Sequence, residues 1–149
     1  MSDILLTRVL LVEDEPGDAD LVKSLLKTAR YGRFLVKTAD CLSAAMQNLY
    51  DYPFDAALLD LSLPDSSGME TIRTFRTAAP DLPVVVLTGL DDREVGLRAL
   101  REGCQDYLVK GNADGETMAR TIIHSIQRKR LEVELVQAKV RLQVAYDDL

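Results

Sequence analysis

The sequence predicts an α/β protein built on a parallel sheet, and three observations carry that prediction. Five short runs rich in β-branched, leucine or aromatic residues fall near residues 8–12, 34–38, 55–60, 83–88 and 106–109. They alternate with segments of helical apolar period, and strand, helix, strand at this spacing implies βαβ units. Four of the five runs end in polar residues, and in a doubly wound sheet the ligand crevice lies outside the carboxyl ends of the strands.

The first run, Val9-Leu10-Leu11-Val12, ends in the acidic pair Glu13-Asp14. Pro16 suits a first helical turn, where its missing N–H costs nothing, and Leu21, Val22, Leu25, Leu26 and Ala29 then form one helical face. The third run, Ala56-Ala57-Leu58-Leu59, ends in Asp60 and is followed by a second face of Met69, Ile72 and Phe75. Val84-Val85-Val86-Leu87 ends in Thr88, and Tyr107-Leu108-Val109 ends in Lys110. Met118, Ile122 and Ile126 form a third face, while Pro53, Pro80 and Pro83 fall in connections.

At 149 residues and 47% hydrophobic, the chain suits one compact domain with a proper core, plus an appendage. A net charge of -6 offers no basic field for a nucleic-acid backbone or an anionic membrane, so direct nucleic-acid binding is not expected. No apolar run approaches the roughly 18 residues of a membrane span, so no membrane insertion is expected. Met1-Ser2-Asp3 lacks the positive start of a secretory signal, which makes the cytoplasm the expected compartment. Cys41 and Cys104 are too few and too isolated for a disulfide framework or a cysteine zinc site, and read as buried or semi-buried thiols.

Three carboxylates, a hydroxyl and an ammonium at strand ends make an inventory for handling a phosphoryl group on Mg²⁺. That ion prefers oxygen ligands and is usually held by one or two carboxylates plus phosphate oxygens. Asp14 and Asp60 could supply the carboxylates, with Glu13 holding metal-bound water. An aspartate can also be the nucleophile that forms an acyl phosphate, and Asp60 is the better candidate because it stands alone on its strand. Lys110 and Thr88, the latter followed by the small Gly89, would meet the charge on the transferring oxygens.

The stretches VLLVEDE, LLDLSLPDSSGME, VVVLTG and DYLVKG, in that order, resemble the response-regulator receiver domain of two-component signalling, over residues 8 to about 126. The resemblance implies a (βα)5 doubly wound five-stranded sheet in the flavodoxin-like order 2-1-3-4-5. It implies Asp60 as phosphoacceptor, Glu13, Asp14 and Asp60 around Mg²⁺, and Lys110 bonding a phosphoryl oxygen. Thr88 would be the switch hydroxyl and Tyr107 the switch aromatic, together changing the surface of the fourth helix, fifth strand and fifth helix. The phosphoryl donor would be a histidine kinase or phosphotransfer domain. Such a domain catalyses its own phosphotransfer and dephosphorylation, yet its product is a changed surface, so a conventional enzyme is not expected.

Two departures from the family pattern stand out. Gly111 follows the lysine where many receivers carry a cis proline, so a trans bond and a looser approach to the last helix are expected. The side chains two after the aspartate and two after the threonine, which govern dephosphorylation in the family, are Ser62 and Leu90. Neither is a strong base, and Leu90 crowding the attacking water implies a long-lived phosphorylated form. His124, the only histidine, sits in HSIQRKR without the acid that directly follows a kinase phosphoacceptor, and reads as solvent-facing or helix-packing.

The receiver is expected over 1–128 and a helical extension over 129–149. Leu131, Leu135, Ala138, Leu142, Ala145 and Leu149 follow the heptad rhythm of a coiled-coil seam, and Val133, Val136, Val140 and Val144 make a second stripe. The extension is either a homodimer or partner contact, a linker to a missing or separate output module, or an amphipathic helix folded back on its own domain. Three other functions compete with a phosphorylated switch. An aspartate-nucleophile phosphatase would want a second acid where Ser62 stands, and a flavodoxin-like carrier would want a Ser/Thr/Gly phosphate loop where Glu13-Asp14-Glu15 stands. A docking scaffold that takes no phosphate would usually have lost an acid, the lysine or the threonine, and none is missing.

Overall fold

A computed structural model of the chain describes residues 6–90 and 92–149. Five strands alternate with five helices: β1 (Leu6–Val12), α1 (Pro16–Thr28), β2 (Arg33–Ala39), α2 (Leu42–Asp51), β3 (Ala56–Asp60), α3 (Met69–Ala78), β4 (Val84–Thr88), α4 (Arg93–Arg101), β5 (Asp106–Val109) and α5 (Gly115–Asp147). The strands form one parallel sheet in the order β2-β1-β3-β4-β5, the expected topology. A two-residue antiparallel ladder, Ser62–Leu63 with Ser66–Ser67, folds the chain between β3 and α3.

Alternation within each strand sorts the core into two layers. Val9 and Leu11, Ala56 and Leu58, and Val85 and Leu87 pack with Ala19, Val22 and Leu26 of α1 and Met118, Ile122 and Ile126 of α5. Their neighbours Leu10 and Val12, Ala57 and Leu59, and Val84 and Val86 pack with Ala45 of α2, Met69, Ile72 and Phe75 of α3, and Ala99 of α4. Helices on both faces leave the central strands no wet side, which is why these strands read as unbroken apolar runs. The edge strand β2 is only partly covered: Ala39 is buried, and the other residues are half-buried or exposed.

Pro16 opens α1, as expected, with Glu15 accepting the Gly17 N–H as its cap. The apolar face of α1 is narrower than its leucines suggest: Val22 and Leu26 are buried, Leu25 is half-buried and Leu21 is exposed. Buried positions three and four apart, Ala19, Val22 and Leu26, take up the side facing the sheet, which turns Leu21 toward solvent.

The last helix is 33 residues long, about 50 Å at 1.5 Å per residue. It passes residues 128 and 129 without a break, and its buried residues end at Ile126. Beyond Arg130 every residue is exposed except the half-buried Val133. A tail folded back on the domain is therefore not what forms; the helix continues outward as a single rod. Among the described residues no helix is long and apolar enough to cross a membrane.

Candidate functional site

The strand registers bring the polar ends together. Val12 pairs with Leu59 and Asp60 with Leu87, so Glu13, Asp60 and Thr88 follow one another along the carboxyl edge of the three central strands. Thr88 pairs with Val109, and the Lys110 N–H donates to the Thr88 carbonyl at 2.8 Å, which sets Lys110 beside them. Glu13 is anchored by its own N–H to the Ala39 carbonyl at 2.9 Å. All five strand-end candidates thus share one edge, because parallel strands in one sheet place their carboxyl ends on the same side.

Lys110 is the hub of the site. Its Nζ lies 2.6 Å from Glu13 Oε2, 3.3 Å from Asp60 Oδ2 and 3.3 Å from Asp18 Oδ2. The other oxygen of Asp60 accepts the Ser62 N–H at 3.3 Å, and a Glu13 oxygen accepts the Glu15 N–H at 3.1 Å. Burial works against the Lys110 ammonium, but Glu13 and Asp60 outweigh it and hold its pKa above the ordinary lysine value. Burial, with a smaller push from the nearby Asp60, holds the Glu13 carboxyl up at about 7 against the downward pull of Lys110 and the Glu15 N–H. Asp18 was not foreseen; it lies in the first turn of α1, just after the carboxyl end of β1, and that nearness to Glu13 and Asp14 in the chain was the one signal available.

Ligand oxygens of Glu13, Asp14 and Asp60 all lie within 4.8 Å of one another. The Glu13 Oε2 is buried and has no well-directed hydrogen bond, only the ion pair with Lys110. A hard-oxygen donor set with an under-satisfied buried oxygen fits a divalent cation such as Mg²⁺. The same crowding predicts a stability effect. Asp14→Asn removes one of three mutually repelling carboxylates, so in EDTA it is expected to raise Tm by about 2–6 °C. Added Mg²⁺ should shrink that difference, and an unchanged or lower Tm in EDTA would count against the repulsion.

The remaining candidates surround this edge. The Thr88 hydroxyl is buried and donates to the Leu108 carbonyl at 3.4 Å. Ser62 and Leu90 are exposed, Leu90 at 68%. Tyr107 is half-buried, and its ring lies on α4 at Gly96, where an added Cβ would meet Tyr107 Cδ2 at 2.5 Å. Gly96 is a second residue that sequence reading missed, since a glycine inside a helix declares its purpose only when the neighbour filling the space is known. Gly111 has φ 84, a left-handed backbone that suits glycine, and no described peptide bond is cis, as expected for the Lys110–Gly111 bond. The approach to α5 is nonetheless capped: Asp114 accepts the Thr117 N–H at 2.7 Å.

Cys41 is half-buried at the head of α2 and Cys104 is buried, both free thiols as expected. His124 is exposed, with its Nε2 2.9 Å from the Tyr31 hydroxyl.

A sheet of this order with an acidic pocket, threonine and lysine at its carboxyl edge defines a receiver-type switch module. Residues 9–122 match the response regulator receiver domain, and the chain belongs to that family. It is 38% identical over 124 residues to the cell cycle response regulator CtrA of Brucella ovis, across 82% of this chain and 50% of that protein. It is 32% identical over 122 residues to the cell cycle transcriptional regulator CtrA of Caulobacter vibrioides, across 82% and 51%. The chain therefore spans about half the length of these relatives. The fold is shared with a CheY-like receiver domain protein of Methanospirillum hungatei, at TM-score 0.71 and 22% identity over 86% of this chain and 99% of that one. As a receiver domain the chain is a module of phosphorylation-dependent signalling rather than a conventional enzyme.

Proposed function

We propose that Asp60 is the phosphoacceptor of this switch. The observation that carries the reading is the placing of Lys110 Nζ 3.3 Å from Asp60 Oδ2 inside a three-carboxylate pocket. An Asp60 carboxylate oxygen attacks phosphorus, the bond from phosphorus to the donor group breaks, and an acyl phosphate forms. Glu13, Asp14 and Asp60 would hold Mg²⁺, which when bound neutralises charge on the phosphoryl oxygens. Lys110 supplies a cation to one of those oxygens, and Thr88 turns its hydroxyl from the Leu108 carbonyl toward the new group. Tyr107 moves behind it, altering the surface made by α4, β5 and α5.

The donor is a separate histidine kinase or phosphotransfer domain acting in the cytoplasm. The exposed His124, hydrogen-bonded to Tyr31, supports a packing role for the one histidine of the chain. Leu90 and Ser62 offer no base near the acyl phosphate, which supports a slow return to the unphosphorylated state.

The test is incubation of wild type and Asp60→Ala with acetyl phosphate and Mg²⁺, read by intact mass. Wild type should gain one phosphoryl group and Asp60→Ala none. No gain in a folded, Mg²⁺-supplied wild type would sink the assignment and favour a docking scaffold. In the same assay Leu90→Glu should lose its phosphoryl group faster than wild type; equal decay would remove Leu90 from the rate-setting role.

A further inference from the structure

We infer that residues 131–149 form a parallel, in-register coiled coil with a second copy of this chain. Where α5 leaves the body its two apolar stripes separate. Ile126 and Val133 turn inward, lining a groove with Phe54, Pro80 and Leu82. At about 100° per residue, Leu131, Leu135, Ala138, Leu142, Ala145 and Leu149 fall on the opposite side of the helix. Those leucines are 66%, 55%, 72% and 100% exposed, in order along the chain, and nothing in the body covers them.

The root of this rod is held to the body. The Arg128 guanidinium donates to the Gln105 carbonyl at 3.2 Å and lies 3.6 Å from Asp106, while the Gln105 amide donates to Glu132 at 3.1 Å. A helix fixed at its base, presenting an uncovered seam with spacings of four and three, has the form of one strand of a coiled coil.

The flanking charges choose the partner and its direction. With Leu135, Leu142 and Leu149 at a positions and Leu131, Ala138 and Ala145 at d, the g positions are Glu134, Arg141 and Asp148 and the e positions are Glu132, Lys139 and Tyr146. In a parallel pair each g faces the next e of the other helix, so Glu134 meets Lys139 of the second copy twice and Arg141 meets Tyr146. Glu134 and Lys139, five residues apart, are too far round the helix to pair with each other. A fully overlapping antiparallel pair sets Arg141 against Arg141, Lys139 against Lys139 and Glu134 against Asp148. Shifting that pair by one heptad cures the repulsion but places Ala145 and Leu149 against Arg128 and His124, at the root already engaged by the body. The parallel pair alone uses every seam residue without a like-charge contact.

Within residues 131–149 the seam has alanine at two d positions, so a reversible, concentration-dependent dimer is the expected state. Sedimentation equilibrium on the full chain tests it. Wild type should move from monomer to dimer with rising concentration, and Leu135→Glu with Leu142→Glu should stay monomeric while melting as wild type does at concentrations where it is a monomer, since both side chains are exposed on the single chain. Glu134→Lys and Lys139→Glu should each weaken dimerisation about 3–10-fold, and the two together should restore it. In the shifted antiparallel pair the double exchange sets like charges against Arg141 and Glu132, so no restoration would overturn the parallel arrangement. A wild type that stays monomeric throughout, or a doubly substituted leucine variant that still dimerises, would overturn the inference altogether.

Discussion

Lys110→Ala should slow phosphorylation by acetyl phosphate about 10²–10³-fold while Mg²⁺ still binds. Lys110 is the one cation in contact with Asp60 among the described residues, and it contacts Glu13 and Asp18 as well. During transfer, charge gathers on the phosphoryl oxygens, and a preplaced ammonium meets it without reorganising water. Lys110→Arg should recover little of the rate, because a planar guanidinium needs more room than an ammonium pressed among three carboxylates. Rates of phosphoryl gain by mass at saturating Mg²⁺ decide the matter, with circular dichroism to verify folding. A Lys110→Ala variant as fast as wild type would show that the metal pocket suffices, and would remove Lys110 from the chemistry.

Phe75→Ala is expected to cost about 3–5 kcal/mol of folding free energy, against a total of about 5–15 for a domain of ordinary stability. Phe75 is 0% exposed and belongs to the layer that joins α2, α3 and α4 to the sheet. Truncation loses the transfer free energy of the ring and leaves a hole between rigid neighbours such as Ile72 and Val84, which are themselves fully or almost fully buried. Tm should fall by about 10–20 °C, read by thermal unfolding. Asp60 should still accept phosphate at temperatures where the variant is folded, since Phe75 is not one of the side chains around the pocket. A loss below about 1.5 kcal/mol would mean that the layer collapses onto the vacated space.

Most of the architecture was legible because its signals are local. Apolar runs four or five residues long, such as Val84–Leu87, mark strands buried on both faces, and polar punctuation after each run marks the edge where they end. The spacing of Met69, Ile72 and Phe75 identified a helix face that the fold buries completely or nearly so. Leu21 shows the limit of that reading. Hydrophobicity placed it with Val22 on one face, but which side of α1 meets the sheet depends on how the helix is rotated against β1 and α5.

The sequence by itself determined the alternation of strands and helices, the five polar residues at four strand ends and the long uninterrupted last helix, because each depends on residues close together in the chain. Tertiary structure alone decided that Lys110 reaches Asp60 and Glu13 at once, that Asp18 joins them, and that Tyr107 rests where Gly96 has no side chain. These contacts link residues far apart in the chain, and no local period or propensity encodes such distances. It also decided the two sides of α5: Ile126 and Val133 turn toward the body while the leucine seam stays bare, and beyond Val133 the body offers no surface to cover the rest of either stripe.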